Sequence, residues 1–196
     1  MAISTPALLD RFVPQPDVRG RHETTVHAPS ALVMDAARNF DIESVFIVRT
    51  LFQLRGAFLG AASSSVRQPQ GLVAQMHAIG WQCLAEDRDH YFVAGACCRP
   101  WLADPAFSPV DASHFASFAE PDLVKIAWTL EATPLAPAIT RFATETRAVA
   151  TDERARIKFR RYWRKFGAGI VLIRLVLLPA IRKQAERRWR TQAHAA

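Results

Sequence analysis

Two residues of opposite charge, Glu145 and Arg147, stand two positions apart in a strand-like stretch near the C-terminal end of the chain. Because side chains alternate across a strand, both lie on one face of it, together with Arg141. If that face points inward, the charges are buried and need partners, so they would anchor the polar end of a ligand, with Arg99 and His90 as neighbours. The alternative is a cross-strand ion pair exposed on the outer face of a sheet.

Five aromatic residues are candidates for lining an apolar cavity. Trp81, Trp101 and Trp128 could stack on a flat apolar ligand, because binding pockets are lined mainly by apolar and aromatic side chains. Tyr162 and Phe166 join them, since they belong to the apolar stripe of a long predicted helix. The alternative for each tryptophan is an ordinary place in the hydrophobic core.

Other chemistry-bearing residue types form no pattern. The six histidines include no HxxxH pair and no His/Asp cluster, so the sequence predicts no metal site and no cofactor. Ser113 and His114 are neighbours without a G-x-S-x-G motif, and no glycine-rich phosphate loop occurs. Whether the protein is an enzyme stays open. A cyclase- or hydrolase-type reaction would need Glu145, His90 or a nearby carboxylate as an acid–base pair inside the cavity.

Cysteine content and hydropathy bear on the compartment. Cys83, Cys97 and Cys98 form no disulfide framework, which fits a reducing cytoplasm. Cys97 and Cys98 are expected on opposite sides of a strand, as small buried residues. The start of the chain, MAISTPALLDRF, lacks the features of a signal peptide. The longest apolar run, residues 168–181, is interrupted by Arg174 and is shorter than the roughly 20 residues of a spanning helix. We expect a cytoplasmic protein.

Basic charge is concentrated late in the chain. The protein has 196 residues, of which 50% are hydrophobic, which indicates one folded domain. Its formal net charge is +7. Residues 154–190 contain thirteen Arg or Lys residues against one acid, Glu186. This excess either attracts an anionic partner or forms a solvated face that aids solubility. No nucleic-acid-binding motif accompanies it, which argues against a nucleic-acid partner.

Periodicity and turn-forming residues predict the elements that position these side chains. Helices are predicted within residues 1–20 and at 30–40, 71–79 and 151–190, and strands at 21–27, 81–86, 90–98, 114–119, 122–133 and 140–150. Residues 41–60 form either one helix or two short ones, 61–70 a surface loop and 99–110 a proline-rich loop, with turns at 87–89 and 134–137.

The last helix is the dominant element. Its first turn carries Asp152 and Glu153, where the helix dipole favours negative charge. From 170 to 178 it is apolar nearly all round, which predicts burial between the sheet and the N-terminal helices; the alternatives are a dimer contact or a peripheral membrane contact. An apolar stripe is expected to cover the sheet, and it comprises Ala155, Phe159, Tyr162, Phe166, Ile170, Ile173, Leu177 and Ile181.

This order of elements, with a few short motifs, resembles the START-like (SRPBCC) superfamily, which includes polyketide cyclases and pollen allergens. The motifs are VHAPS at 26–30, which leads into the first helix, the hairpin at 80–95, and TETR at 144–147 leading to FRRYW at 159–163. Together with RPW at 99–101 and FAEP at 118–121, the last of these looks like a bacterial branch of that superfamily.

The resemblance implies an α+β helix-grip fold, in which a curved antiparallel sheet wraps around a long C-terminal helix. It implies one domain over 1–196, with its core at 10–190, and a cavity between sheet and helix. The expected function is a binding or carrier protein for a hydrophobic or amphipathic small molecule or lipid. The alternatives are the cyclase- or hydrolase-type enzyme, and an interaction module in which the C-terminal helix contacts a partner, a second copy or a membrane.

Overall fold

The computed structural model describes residues 5–41, 50 and 70–195. The helical prediction for 41–60 and the loop prediction for 61–70 lie outside the described residues, apart from residues 41, 50 and 70.

Antiparallel strands form one curved sheet, which has five strands in the described part of the chain, in the order β1-β5-β4-β3-β2. Their bounds are β1 Val18–Val26, β2 Gln82–Asp87, β3 Tyr91–Cys98, β4 Val124–Ala136 and β5 Ile139–Ala150. The central strand, β4, pairs with β5 so that Trp128 faces Thr146 and Thr129 faces Glu145 across the ladder. The predicted hairpin and the last strand are confirmed, and β1 begins three residues earlier than predicted.

The described helices are α1 Thr5–Asp10, α2 Ser30–Arg38, α3 Leu72–Ala78, α4 Ala112–Phe115 and α5 Glu153–Ala195. Helix α5 lies along the concave face of the sheet and turns its predicted apolar stripe toward it, where Phe159 and Ile181 are buried. This arrangement is the α+β helix-grip fold that the resemblance implied.

The strand predicted at 114–119 is wrong. Helix α4 occupies Ala112–Phe115 instead, because Phe115 is fully buried beneath the sheet and meets the ring of Phe12 edge-on, with ring centroids 6.2 Å apart. This tertiary contact outweighs the weak local strand preference.

The turn predicted at 134–137 is also placed too early. Strand β4 continues through Pro134 to Ala136, and its register with β5 shifts between those two residues. A bulge lets the ladder pass a proline that has no N–H to donate.

Helices pack on both faces of the sheet. On the concave face, Phe142 of β5 packs with Leu178 and Ile181 of α5. On the opposite, convex face, α1 and α4 cover a second apolar cluster that includes Leu9 and Phe12. The side chains of β5 alternate between the two layers, as the two-residue period of a strand requires.

Glu145 lies on the convex face, turned away from α5. Its side chain is fully buried and its carboxylate meets three guanidinium groups. Arg147 Nε donates to Oε1 at 2.8 Å, Arg19 Nε approaches Oε1 at 2.9 Å, and Arg21 Nη1 approaches Oε2 at 3.4 Å. Arg21 also reaches Glu131, at 3.0 Å between Nη2 and Oε2.

Arg147 is buried with it because the N-terminal segment closes over the pair. Its Nη1 donates to the backbone oxygen of Val13 at 3.0 Å and to the carboxylate of Asp10 at the end of α1. Neither sequence alternative describes this placement fully: the pair faces outward, as the ion-pair alternative required, yet it is buried. The strand pattern shows which face a residue takes but not that a helix from the other end of the chain covers it.

The prediction that 170–178 is buried on every side is wrong. Leu172 is 41% exposed and Leu175 is 53% exposed. The sheet and α2 contact only one side of α5, so these two residues, three positions apart, share its outward face.

We expect Glu145→Gln to lower the free energy of unfolding by about 3–5 kcal/mol, because it leaves the buried guanidinium of Arg147 without its carboxylate. Urea unfolding measures this. The matched control is Glu23→Gln, whose carboxylate is 53% exposed and 3.6 Å from Arg21 Nη2, and which should cost less than about 1 kcal/mol. Equal effects of the two variants would contradict a structural role for the buried network.

Asp152 caps α5 and should make its stability depend on pH. Its carboxylate accepts backbone N–H bonds from Ala155 at 2.7 Å and Asp122 at 2.6 Å, and these bonds lower its pKa below the ordinary 3.8. A lowered folded-state pKa contributes stability that is complete above 3.8 and is lost as pH falls through the folded value.

We therefore expect Asp152→Asn to lower Tm at neutral pH, by an amount that shrinks as pH falls below 3.8. Circular dichroism melts across that range test this. The control is Asp89→Asn, in the exposed β2–β3 turn. A Tm difference that stays constant with pH would show that the charge of Asp152 has no part in the cap.

Candidate functional site

Helix α5 packs on the concave face in two separate places. Near its start, Phe159 and Tyr162 pack against Val124 and Ala148 of the sheet. Near its end, Leu178, Ile181 and Ala185 pack against β5 and α2 in the main core. The stretch of α5 between these two clusters, residues 166–177, is mostly only half-buried.

The sheet opposite that stretch is also incompletely covered. Ile126 and Trp128 face α5 from the central strand, yet both are half-buried, as is Thr146 on β5. A residue in the middle of a sheet keeps solvent contact only where the covering element stands away from it. We call this incompletely covered surface the concave cleft, and the residues that line it are Gly20, His22, Ile126, Trp128, Thr146, Ile170, Ile173 and Arg174.

Hydrogen bonds and a ring contact fix the position of the cleft floor at Trp128. Trp128 Nε1 donates to Thr144 Oγ1 at 2.8 Å, and that hydroxyl donates to the backbone oxygen of Thr129 at 2.7 Å. The indole also meets the ring of Phe92 nearly at right angles, with centroids 6.3 Å apart. With its polar atom satisfied by the sheet, the indole presents an apolar surface to the cleft.

Arg174 enters the cleft from α5. It is 8% exposed, and its guanidinium lies against the backbone of β1 at Gly20. A Cβ at Gly20 would stand 2.6 Å from Arg174 Nη1, so the guanidinium in its present position lies where a side chain at residue 20 would begin. Burial lowers the pKa of Arg174, although an arginine still carries its charge at neutral pH. Among the described residues, Arg174 has no hydrogen-bond or ion-pair partner.

His22 lies beside it on β1. Burial and, second, the neighbouring charge of Arg174 lower the pKa of His22 below 6.5, so the imidazole is neutral at pH 7. Its Nδ1 is buried without a hydrogen-bond partner. A neutral imidazole offers one donor and one acceptor, so His22 can hydrogen-bond a ligand without adding charge.

Several residues proposed from sequence lie away from the cleft. His90 is in the exposed β2–β3 turn, where its Nδ1 is 3.1 Å from Asp87 Oδ1. Arg99 Nε donates to the backbone oxygen of Asp122 at 3.1 Å at the exposed end of β3. Glu145 and Arg147 belong to the convex face, as described above.

The aromatic candidates divide between cleft and core. Trp128 forms the floor of the cleft, and the rings of Tyr162 and Phe166, with centroids 5.0 Å apart, stand in the cluster at one end of it. Trp81 is buried in the main core, 5.7 Å from the ring of Phe107, and Trp101 lies beneath Lys158 Nζ at 5.3 Å.

Sequence reasoning missed the polar residues of the cleft, His22, Thr146 and Arg174. The signal that marked Arg174 was its place inside the apolar run, where a charge costs free energy unless it has a purpose or a partner. His22 and Thr146 carry no comparable signal, because half-buried polar residues are common in strands.

Cys97 and Cys98 occupy opposite faces of β3, as predicted. Burial raises the pKa of Cys97 to about 12, so its thiol stays protonated at neutral pH and is a poor nucleophile. It lies in the convex cluster near Lys125, whose Nζ donates to the backbone oxygen of Ala116 at 2.7 Å. The ammonium group of Lys125 is therefore part of the packing under α4.

In the described ranges, none of the helices is both long and apolar enough to span a membrane. The same residues contain no group of three His, Cys, Asp or Glu placed to hold a metal ion.

No family model matches the sequence, and no curated protein matches it. Among solved structures, the fold is similar to that of a conserved protein from Geobacillus kaustophilus, with 10% identity, a TM-score of 0.41 and coverage of 87% of this chain and 96% of that one. The Zhui aromatase/cyclase from Streptomyces sp. R1128 has 13% identity and a TM-score of 0.30, and the match covers 87% of this chain and 94% of that one. Ara h 8.0201 has 12% identity and a TM-score of 0.23, with coverage of 82% of this chain and 97% of that one. The helix-grip assignment stands on the strand order and the long C-terminal helix described above.

Proposed function

We propose that this protein binds and carries a hydrophobic or amphipathic small molecule in the concave cleft. The observation that carries the proposal is the half-buried state of Ile126 and Trp128 on the central strand. Burying such apolar surface is favourable by about 25 cal/mol per Å², so a ligand that covers this floor and the facing side chains of Ile170 and Ile173 gains affinity directly.

An enzyme in the same cleft has less support. Acid–base catalysis requires two titratable groups that converge on the substrate. Among the described residues that wall the cleft, His22 is the one group that titrates near neutral pH, and no carboxylate accompanies it. The carboxylates of Glu131 and Glu145 are engaged by arginines on the convex face.

Filling the cleft should weaken ligand binding. Phenylnaphthylamine is a neutral apolar probe whose fluorescence rises on burial, and we expect wild-type protein to bind it. Thr146→Phe places a ring on the floor and should weaken binding about tenfold or more, which is about 1.4 kcal/mol. A fluorescence titration measures the Kd.

The matched control is Thr25→Phe, the same change at an exposed position of β1 on the convex side. It should leave the Kd unchanged. If wild-type protein does not bind the probe, or if both variants bind it as well as wild type does, the cleft is not the binding site. Native mass spectrometry of protein purified from its own host would identify the class of any retained ligand.

A second candidate function is peripheral contact with an anionic membrane through the outward face of α5. Leu172 and Leu175 are exposed there, and exposed basic residues flank them on both sides, at 164–165 and 182–183. This pattern matches a helix that inserts apolar side chains between lipids while its cations meet anionic headgroups. A second copy of the chain is a poorer occupant of this face, because it would bring like charges together.

Vesicles containing phosphatidylglycerol should therefore bind the protein, and sodium chloride should weaken the binding because it screens the basic flanks. Leu175→Ser should reduce co-sedimentation about tenfold, since one leucine no longer inserts. The control is Leu135→Ser on the β4–β5 hairpin, because Leu135 is 55% exposed and Leu175 is 53% exposed. Equal binding to neutral vesicles, or equal loss in both variants, would exclude this surface.

A further inference from the structure

We infer that the ligand of the concave cleft is an organic anion, an apolar body with one acidic head group, and that Arg174 binds that head group. The inference rests on the proposed function and specifies the class of ligand. Its basis is a charged side chain that is more than nine-tenths buried, points into the cleft and lacks a partner in the described part of the chain.

Arg147 is a buried arginine with a structural role, and its partners provide a comparison for Arg174. Arg147 and Arg174 are the arginines that the described chain buries. Arg147 is held by Glu145, Asp10 and a backbone oxygen, all within 3.0 Å. Arg174 has none of these, although a buried charge without a counter-ion is costly. An anionic ligand supplies the missing partner.

The residues around Arg174 favour an anionic ligand over a neutral or cationic one. The guanidinium rests on Gly20, where no side chain separates it from the strand. Thr146 pairs with Gly20 across the ladder, and its hydroxyl makes no hydrogen bond to the described residues. The neutral imidazole of His22 has an unpartnered Nδ1. One cation and two neutral polar groups therefore meet at one place, without a carboxylate among the described walls to compete.

The chemistry of the guanidinium narrows the ligand further. Arginine presents paired N–H groups that match the two oxygens of a carboxylate or phosphate, and such charge-assisted pairs are stronger than neutral hydrogen bonds. A single guanidinium balances a single negative charge. The apolar body then lies along Ile126 and Trp128, with Ile170 and Ile173 above it.

A matched pair of probes separates this inference from the proposed function. Anilinonaphthalene sulfonate is phenylnaphthylamine with one sulfonate added, so the two differ in the head group alone. We expect Arg174→Leu to weaken sulfonate binding about tenfold or more and to change the Kd of the neutral probe by less than about twofold. Arg164→Leu, at an exposed position on the same helix, controls for general surface charge and should change neither.

Competition by natural head groups identifies the anion. Dodecanoate and dodecyl phosphate should displace anilinonaphthalene sulfonate from wild-type protein more strongly than dodecanol does, and the stronger of the two acids identifies the preferred head group. Arg174→Leu should also raise the Tm of the ligand-free protein, because it removes an unpaired buried charge. The competition measurements use wild-type protein, so they decide the question even if the variant fails to fold.

The outcomes are distinct. If wild-type protein does not bind the neutral probe, the proposed carrier function itself is contradicted. A second outcome is that Thr146→Phe blocks binding of the neutral probe, while dodecanol and dodecanoate displace anilinonaphthalene sulfonate equally well. That result would support the carrier function and contradict the inference that the ligand is an anion. An equal effect of Arg174→Leu on both probes would also overturn it.

Discussion

The register between β4 and β5 is the constraint on which the rest of the structure depends. It pairs Thr129 with Glu145 and Trp128 with Thr146, and the backbone N–H of Glu145 reinforces it by donating to Thr129 Oγ1 at 3.0 Å. Because side chains alternate, a slip of one residue in β5 would turn the carboxylate of Glu145 toward α5 and Thr146 toward the convex side. The same pairing therefore separates a charged layer from an apolar cleft.

The two faces of the sheet treat buried charge in different ways. On the convex face, segments far apart in the chain meet at Glu145, so Glu145 and Arg147 each have an opposite neighbour and their network joins α1 to the sheet. On the concave face, Arg174 stands among apolar side chains and a neutral histidine. The first arrangement is complete by itself, whereas the second has no counter-charge among the described residues, and this is the charge that the proposed ligand would supply.

Helix α5 connects all these features because it is one continuous element. It is anchored at Phe159 and Tyr162 near its start and at Ile181 near its end, and it spans the cleft between these anchors. The same stretch that roofs the cleft exposes Leu172 and Leu175 on its other side. A membrane that engaged those leucines would therefore lie on the opposite side of the helix that roofs the concave cleft, which physically links the two candidate functions.

Local pattern alone determined the elements and their faces. The two-residue period of 140–150 placed Glu145 and Arg147 together on one face of a strand, and the spacing from Ala155 to Ile181 identified the side of α5 that meets the sheet. These features depend on neighbouring residues, so a single sequence contains them. Tertiary structure decided which face was inside, that α1 would bury the pair, and that Gly20, Thr146 and Arg174 would meet. Such contacts join residues that are more than a hundred positions apart or lie on different elements, and no spacing rule along the chain encodes that distance.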